Sequence, residues 1–258
     1  MPGAQSRYPG CVSEVYAIGD VHGCFEELQL LLRLIDVQPE DTLIMLGDLV
    51  DRGPNVEAVL EWFHARENTY NVMGNHDHYF IDYAFNGPSD ANEFMIDQGL
   101  SDTLCQLHGK RWRPGLAAND KVRRFAGALQ AKSVPYMMSS DRKYVFCHST
   151  YPWRAGEVFG EDMFWDRWFY EQFDEYARAY RGPVIVHGHT PVLEDGEKIY
   201  EDIDGRLVGI NLDGGCAYRQ PRSGMRGMRV SDGKLFWIPA REIFANPCRT
   251  SDLAVKPV

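Results

Sequence analysis

The sequence predicts an α/β protein, a β-sandwich core flanked by helices with its active site at the C-terminal ends of the strands. Three observations support this. Short apolar runs alternate with amphipathic helical stretches in the first third of the chain. Further apolar runs follow a mostly helical middle and are assigned to a second sheet. Six of these runs end in a polar residue, most of them beside glycine, and ligands in open α/β sheets bind outside the carboxyl ends of strands.

Each element has its own signal. VYAIG at 15–19 is a buried strand. CFEELQLLLRLI at 24–35 follows, with Phe25, Leu28, Leu31, Leu32 and Ile35 at helical spacing. TLIMLG at 42–47 is the second strand. Pro54 opens a helix with Val56, Val59, Leu60 and Phe63 on one face. YNVMG at 70–74 is the third strand, and a strand–helix–strand–helix–strand order implies parallel neighbours. Residues 87–132 read as a mostly helical insertion. YVFC at 144–147, VIVHG at 184–188 and LVGINL at 207–212 are later strands, and MRGMRVSDGKLFWIP is a hairpin turning at Asp232-Gly233. A polar lead-in over 1–13 and a tail over 246–258 flank a single domain at 14–245.

Composition excludes several classes. The 258 residues carry 27 Lys plus Arg against 37 Asp plus Glu, a net charge of -10, unlike the basic footprint of a dedicated nucleic-acid binder. No run approaches the length of a membrane span, and the start shows no apolar signal core. The 6 cysteines are too sparse for a disulfide scaffold and are expected as reduced thiols in a cytoplasmic protein.

The six strand-end segments are VYAIGDVHG, TLIMLGDLVDRG, YNVMGNHD, YVFCHS, VIVHGHT and LVGINLDGG. Gathered on one edge, they would bring together Asp20, His22, Asp48, Asn75, His148 and His187. Taken singly, each residue could cap a strand or helix. Taken together, they make a mixed oxygen and imidazole donor set suited to Mn²⁺, Fe or Zn.

GDVHG, GDLVDRG and GNHD, in this order and followed by HS at 148–149 and HGHT at 187–190, resemble the metallophosphoesterase superfamily. More narrowly, they are similar to the phosphoprotein phosphatases, the binuclear-metal Ser/Thr phosphatases. The resemblance covers about residues 15–215. It implies two divalent ions, with Mn²⁺ expected first. Asp20 and His22 would hold one, Asn75, His148 and His187 the other, and Asp48 would bridge them. It implies in-line attack by an activated hydroxide, without a covalent intermediate. Arg52 would grip phosphate oxygens as a fork, with Asn75 and Arg167 in supporting positions. The alternative for Arg167 is a surface ion pair with Asp166 or Glu171. His76 would protonate the leaving oxygen, held by Asp51.

Other features read as structural. His64, on the helix 55–66, is expected to be a solvated or core histidine rather than a ligand, and His108 to lie in a loop. Trp165, Phe169, Phe173, Tyr176 and Tyr180 are expected to form a packed helix face, and Cys24, Cys147 and Cys216 to be buried packing residues, with oxidation sensitivity the lesser reading. Two basic clusters could receive an anionic substrate. For Lys110, Arg111, Arg113, Lys121, Arg123 and Arg124 a solvated face is favoured; for Arg219, Arg222, Arg226 and Arg229 the substrate role is favoured.

The expected activity is hydrolysis of phosphate monoesters, with a Ser/Thr or dual-specificity protein phosphatase as the main reading. The alternative is a symmetrical bis(5'-nucleosyl)-tetraphosphatase or another nucleotide phosphohydrolase. Those neighbouring enzymes often carry Ala where this chain has Asp51, which favours the phosphatase. GNHD in place of GNHE, and the Gly-Gly-Cys after Asp213, favour the nucleotide enzyme. A metal-binding module without turnover is the third reading. The partners expected are therefore a phosphoprotein or a nucleotide, with no membrane and no nucleic acid.

Overall fold

β-Branched and apolar residues alternate inward and outward along each of the early strands, and this alternation sorts the core into layers. The computed structural model describes residues 13–241, apart from 110–111, 155–156, 158–159, 168–176, 194–197 and 203. Residues 1–12 of the lead-in, the tail, Lys110, Arg111, Phe169, Glu171, Phe173 and Tyr176 lie outside the described residues.

The strands are β1 (Val15–Ile18), β2 (Thr42–Met45), β3 (Thr69–Val72), β4 (Ser133–Val134), β5 (Tyr136–Met138), β6 (Tyr144–Cys147), β7 (Val184–His187), β8 (Lys198–Glu201), β9 (Leu207–Asn211), β10 (Gly224–Arg229) and β11 (Leu235–Pro239). The helices are α1 (Phe25–Leu34), α2 (Val56–Ala65), α3 (Asn75–Asn86), α4 (Asp90–Met95), α5 (Ser101–His108) and α6 (Asp120–Ala131). One sheet has the order β11-β10-β1-β2-β3-β4, the other β5-β6-β7-β9-β8. Strands β1, β2, β3 and β4 run parallel, as do β6, β7 and β9. The short strands β4, β5 and β8 have no clear apolar pattern of their own and are additions to the sequence reading.

Ala17, Ile44, Leu46 and Val72 from the first sheet meet Tyr144, Phe146, Val186 and Ile210 from the second. The opposite face of the first sheet, with Tyr16, Ile18, Leu43 and Met45, packs on Leu28, Val59, Phe80 and Phe125 of the helices. The outer face of the second sheet holds Val145, Cys147, Ile185 and Val208 with Tyr180 and Tyr200. The hairpin β10–β11 pairs antiparallel and extends the first sheet through β1.

Asp77, the last residue of GNHD, ties the first sheet to α3. Its carboxylate accepts from Leu49 N–H at 2.9 Å, Asn71 Nδ2 at 2.9 Å and Gly74 N–H at 3.4 Å. Leu49 follows β2, Asn71 lies in β3 and Gly74 caps α3, so the β2 and β3 ends are fixed relative to each other. Replacing Asp77 by Ala leaves these buried donors unmatched. Asp77→Ala is expected to lose about 3 kcal/mol in urea unfolding, whereas a loss below about 1 kcal/mol would show that the donors find other partners.

Candidate functional site

The loops after β1, β2, β3, β6 and β7 converge at one end of the sandwich. Asp20, His22, Asp48, Asn75, His76 and His148 are all buried there. Tight bends bring them in, and His22, Asp48, Asp51, Arg52 and His189 all have left-handed backbones, with φ between 43° and 72°. For non-glycine residues this conformation is costly and clusters at functional sites. The glycines between them make close approach possible. A Cβ at Gly74 would strike the Asp48 carboxylate, and one at Gly188 would strike that of Asp20.

Asp48 stands at the centre. Its Oδ2 lies 3.4 Å from His22 Nε2 on one side and 3.4 Å from His148 Nε2 on the other. Two compact groups of donors share it, His22–Asp48–His76 and Asp48–His148–His189. Asn75 Oδ1 lies 3.0 Å from His148 Nε2 and 3.1 Å from His189 Nδ1. The Nδ1 of His22 meets the Val50 carbonyl at 2.7 Å, and that of His148 meets the Leu46 carbonyl at 2.7 Å. A ring that donates from Nδ1 presents the Nε2 lone pair inward, the orientation a metal-ligating histidine needs. The His189 N–H groups the Asp20 carboxylate with this set at 3.1 and 3.2 Å.

His187 does not join them, and this corrects the sequence reading. Along β7 the side chains alternate, so His187 shares the outer face with Ile185 while Val186 points between the sheets. Its Nδ1 faces the Gly188 carbonyl at 3.1 Å and its ring lies 5.8 Å from that of Tyr200. His189, two residues on, has left the strand and takes the place at the site. The same parity rule puts His148 inward, in step with Tyr144 and Phe146.

Two further residues were missed. Asp213 is buried beyond β9, close enough to raise the pKa of Asp20. It ends the sixth of the strand-end segments, so the signal was present. Thr103 on α5 donates to Asp51 Oδ1, while its own oxygen accepts from Asp51 N–H at 2.9 Å. It lies 52 residues from Asp51, and no local pattern announces it.

Electrostatics follows from this crowding. Burial, and then the Asp213 charge, raise the Asp20 carboxyl well above the usual carboxylate range. Burial pushes Asp213 up to about 6. Burial opposes ionisation of Asp48, but His148 and His76 beside it hold it well below the usual range. Burial also opposes charge on His148, yet the Asp48 and Asp20 carboxylates bring it up to about 10. Burial and the neighbouring His148 push His189 down to about 2. Three carboxylates and inward-turned imidazoles in one buried volume fit divalent cations, which replace protons and relieve the mutual repulsion of the anions. The oxygen and nitrogen donors suit Mn²⁺, Fe or Zn rather than a thiolate-selective metal.

The remaining residues surround this centre. His76 Nδ1 meets Asp51 Oδ2 at 2.6 Å. Arg52 places Nη1 2.6 Å from His22 Nε2 and Nη2 2.8 Å from His76 Nε2. Arg167 donates from Nη1 to Thr190 Oγ1 at 3.2 Å, beside His189 on the solvent side. The second basic cluster mostly serves the fold, contrary to expectation. Arg219 pairs with Glu27 at 3.2 Å, Arg229 with Asp232 at 2.6 Å, and buried Arg226 donates to the Val192 carbonyl at 3.1 Å. In the first cluster Lys121 pairs with Glu57, and Arg113, Arg123 and Arg124 are exposed. His64 is exposed, and His108 contacts Asn119 at 3.2 Å.

Comparison with known proteins places this arrangement. Residues 14–207 match the calcineurin-like phosphoesterase family. A symmetrical bis(5'-nucleosyl)-tetraphosphatase of Chromobacterium violaceum is 52% identical over 98 residues, 37% of this chain and 34% of the relative. The corresponding protein of Coxiella burnetii is 41% identical over 115 residues, 43% of this chain and 38% of the relative. The matches thus span little more than a third of these relatives. Among solved structures, a candidate diadenosine tetraphosphatase superposes with a TM-score of 0.62 at 19% identity, covering 91% of this chain and 97% of that one. A serine/threonine phosphatase of Saccharomyces cerevisiae superposes with a TM-score of 0.56 at 17% identity, covering 90% and 82%. These last two likenesses are of fold. With the family match covering most of the described chain, the strand-end cluster falls within a known architecture: the protein belongs to the calcineurin-like phosphoesterases.

Proposed function

We propose that the chain hydrolyses nucleotide polyphosphates in the manner of a symmetrical dinucleoside tetraphosphatase. This replaces the protein phosphatase as the leading reading. The observation that carries it is the 52% identity over 98 residues with a symmetrical tetraphosphatase.

Members of the family bind two divalent metals. In this chain Asp20, His22 and Asp48 would hold one, and Asp48, Asn75, His148 and His189 the other, with Mn²⁺ the expected pair. When bound, the ions supply an activated water at neutral pH and an electrostatic clamp for phosphate oxygens. The protein's own groups do the positioning. Arg52 directs its fork into the space between His22 and His76, where it can take two phosphate oxygens. Asn75 at the centre and Arg167 at the rim provide further polar contacts for phosphate. Asp51 accepts the His76 Nδ1 proton and leaves Nε2 as the position from which a proton reaches the leaving oxygen. Thr103 fixes Asp51 from behind.

A second reading, hydrolysis of phosphomonoesters including phosphoproteins, is favoured by the Asp51–His76 pair. An alkoxide leaving group needs protonation far more than a nucleoside diphosphate does.

The purified protein, assayed with Mn²⁺, should release nucleoside diphosphate from a dinucleoside tetraphosphate. Inorganic phosphate from phosphopeptides, with the dinucleotide untouched, would overturn the proposal in favour of the second reading.

The ligand assignment is checked by counting bound metal by elemental analysis. His189→Ala should lose about one ion per chain, while His187→Ala should keep both. The reverse pattern would restore His187 to the site.

The role of His76 is read from leaving groups. Asp51→Asn should slow an alkyl phosphate about 10²-fold or more, and p-nitrophenyl phosphate much less. Equal losses would remove proton donation from the account.

A further inference from the structure

The loop of His22 and the loop of Asp213 are joined by a second contact outside the site. Cys24 is the N-cap residue of α1, two residues beyond His22. Cys216 begins the short turn Cys216–Tyr218, three residues beyond Asp213. Both are buried free thiols, and their sulfurs and a Glu27 carboxylate oxygen all lie within 4.8 Å of one another.

Two thiols and a carboxylate could suggest a soft metal. The surroundings argue otherwise. Glu27 Oε1 already accepts from Arg219 Nη1 at 3.2 Å and from Arg241 N–H at 3.1 Å. Arg219 Nη2 lies 4.0 Å from Cys24 Sγ. A guanidinium beside the sulfurs disfavours a metal cation there and leaves the thiol pair for different chemistry.

We propose that Cys24 and Cys216 form a reversible intramolecular disulfide under peroxide, a modification site that ties the His22 loop to the Asp213 loop. One thiol attacks peroxide, breaking the O–O bond and giving a sulfenic acid and one water. The other thiol displaces the sulfenic oxygen as a second water, forming the S–S bond. Two electrons pass from the sulfurs to peroxide, and a small dithiol returns them. Cys105 and Cys147 are not part of this pair: Cys105 lies on α5 and Cys147 in the outer layer of the second sheet.

Closure has a consequence for the site. A disulfide holds its sulfurs about 2.05 Å apart, so the two loops must draw together. Gly215 and Arg219, with φ of 62° and 51°, bound the turn that has to move. Asp213 and His22 lie three and two residues from the joined cysteines, so closure would shift them, and small displacements near reacting groups are costly to turnover.

The test uses the full chain with Mn²⁺, treated with hydrogen peroxide, alkylated and digested without reduction. Mass spectrometry should find the Cys24 and Cys216 peptides joined, two hydrogens lighter than their sum, and separated again by dithiothreitol. Hydrolysis of p-nitrophenyl phosphate should fall about tenfold or more in parallel and recover on reduction. Cys216→Ser should keep its activity through the same treatment. If both cysteines remain open to alkylation, or end as sulfinic acids without the cross-link, the proposal is overturned. If Cys216→Ser is inactivated as fully as the parent, the link to the site is overturned. The peptide readout does not depend on the substrate.

Discussion

The concentration of negative charge around Asp48 is the constraint on which the rest of the structure depends. A buried carboxylate is costly unless a proton, a partner or a metal offsets it. Here Asp20, Asp48 and Asp213 are buried together. The pressure shows in the neighbouring groups: the Asp48 and Asp20 carboxylates raise the pKa of His148, and burial together with Asp213 raises that of Asp20. Divalent cations would offset the carboxylates with more charge and no proton. The crowded carboxylates are thus a local instability that cation binding would relieve, so metal held there would also stabilise the fold.

Holding such a site requires rigid geometry at several strand ends at once. The sheets provide it. Parallel strands β1, β2 and β3 deliver their carboxyl ends to one edge, and β6 and β7 of the other sheet deliver theirs opposite. Backbone carbonyls of Val50 and Leu46 then set the ring orientations of His22 and His148. Asp77 braces the turn that carries Asn75 and His76. Left-handed backbone at His22, Asp48 and His189 is tolerated because the layers on both sides fix the chain before and after each bend.

Much of this was legible in the residues, and the errors have definite physical causes. Apolar runs gave β1, β2, β3, β6, β7 and β9, and the polar residues after them gave most of the site. The strand-end pattern fails at HGHT because it takes the first polar residue after an apolar run, whereas period-two alternation along β7 turns that residue outward. Counting the alternation from Val186 turns His187 outward, but it does not single out His189, which has the same parity and reaches the site only because the chain has left the strand with a left-handed bend there. Asp213 was visible at a strand end but was not placed among the donors. Thr103 was not visible, because its contact with Asp51 depends on how α5 packs against the loop after β2. The arginines between 219 and 229 were misread for a related reason. Charge is written in the sequence, but the partners that occupy it, Glu27, Asp232 and the Val192 carbonyl, are chosen by packing.

The same reasoning explains why the reaction class is clearer than the substrate. The fold superposes on a candidate tetraphosphatase and on a serine/threonine phosphatase with similar TM-scores of 0.62 and 0.56, so the scaffold does not discriminate between them. The metal donors are equally indifferent, since they address phosphate oxygens common to both substrates. Discrimination has to come from groups that meet the leaving side. A nucleoside diphosphate departs as a weak base already stabilised by its own phosphate oxygens, whereas a serine alkoxide departs only if it is protonated. A buried acid pair behind His76, secured on both carboxylate oxygens by His76 and Thr103, is therefore more than a tetraphosphatase requires. In a nucleotide enzyme it adds acid assistance to a step that proceeds with little of it.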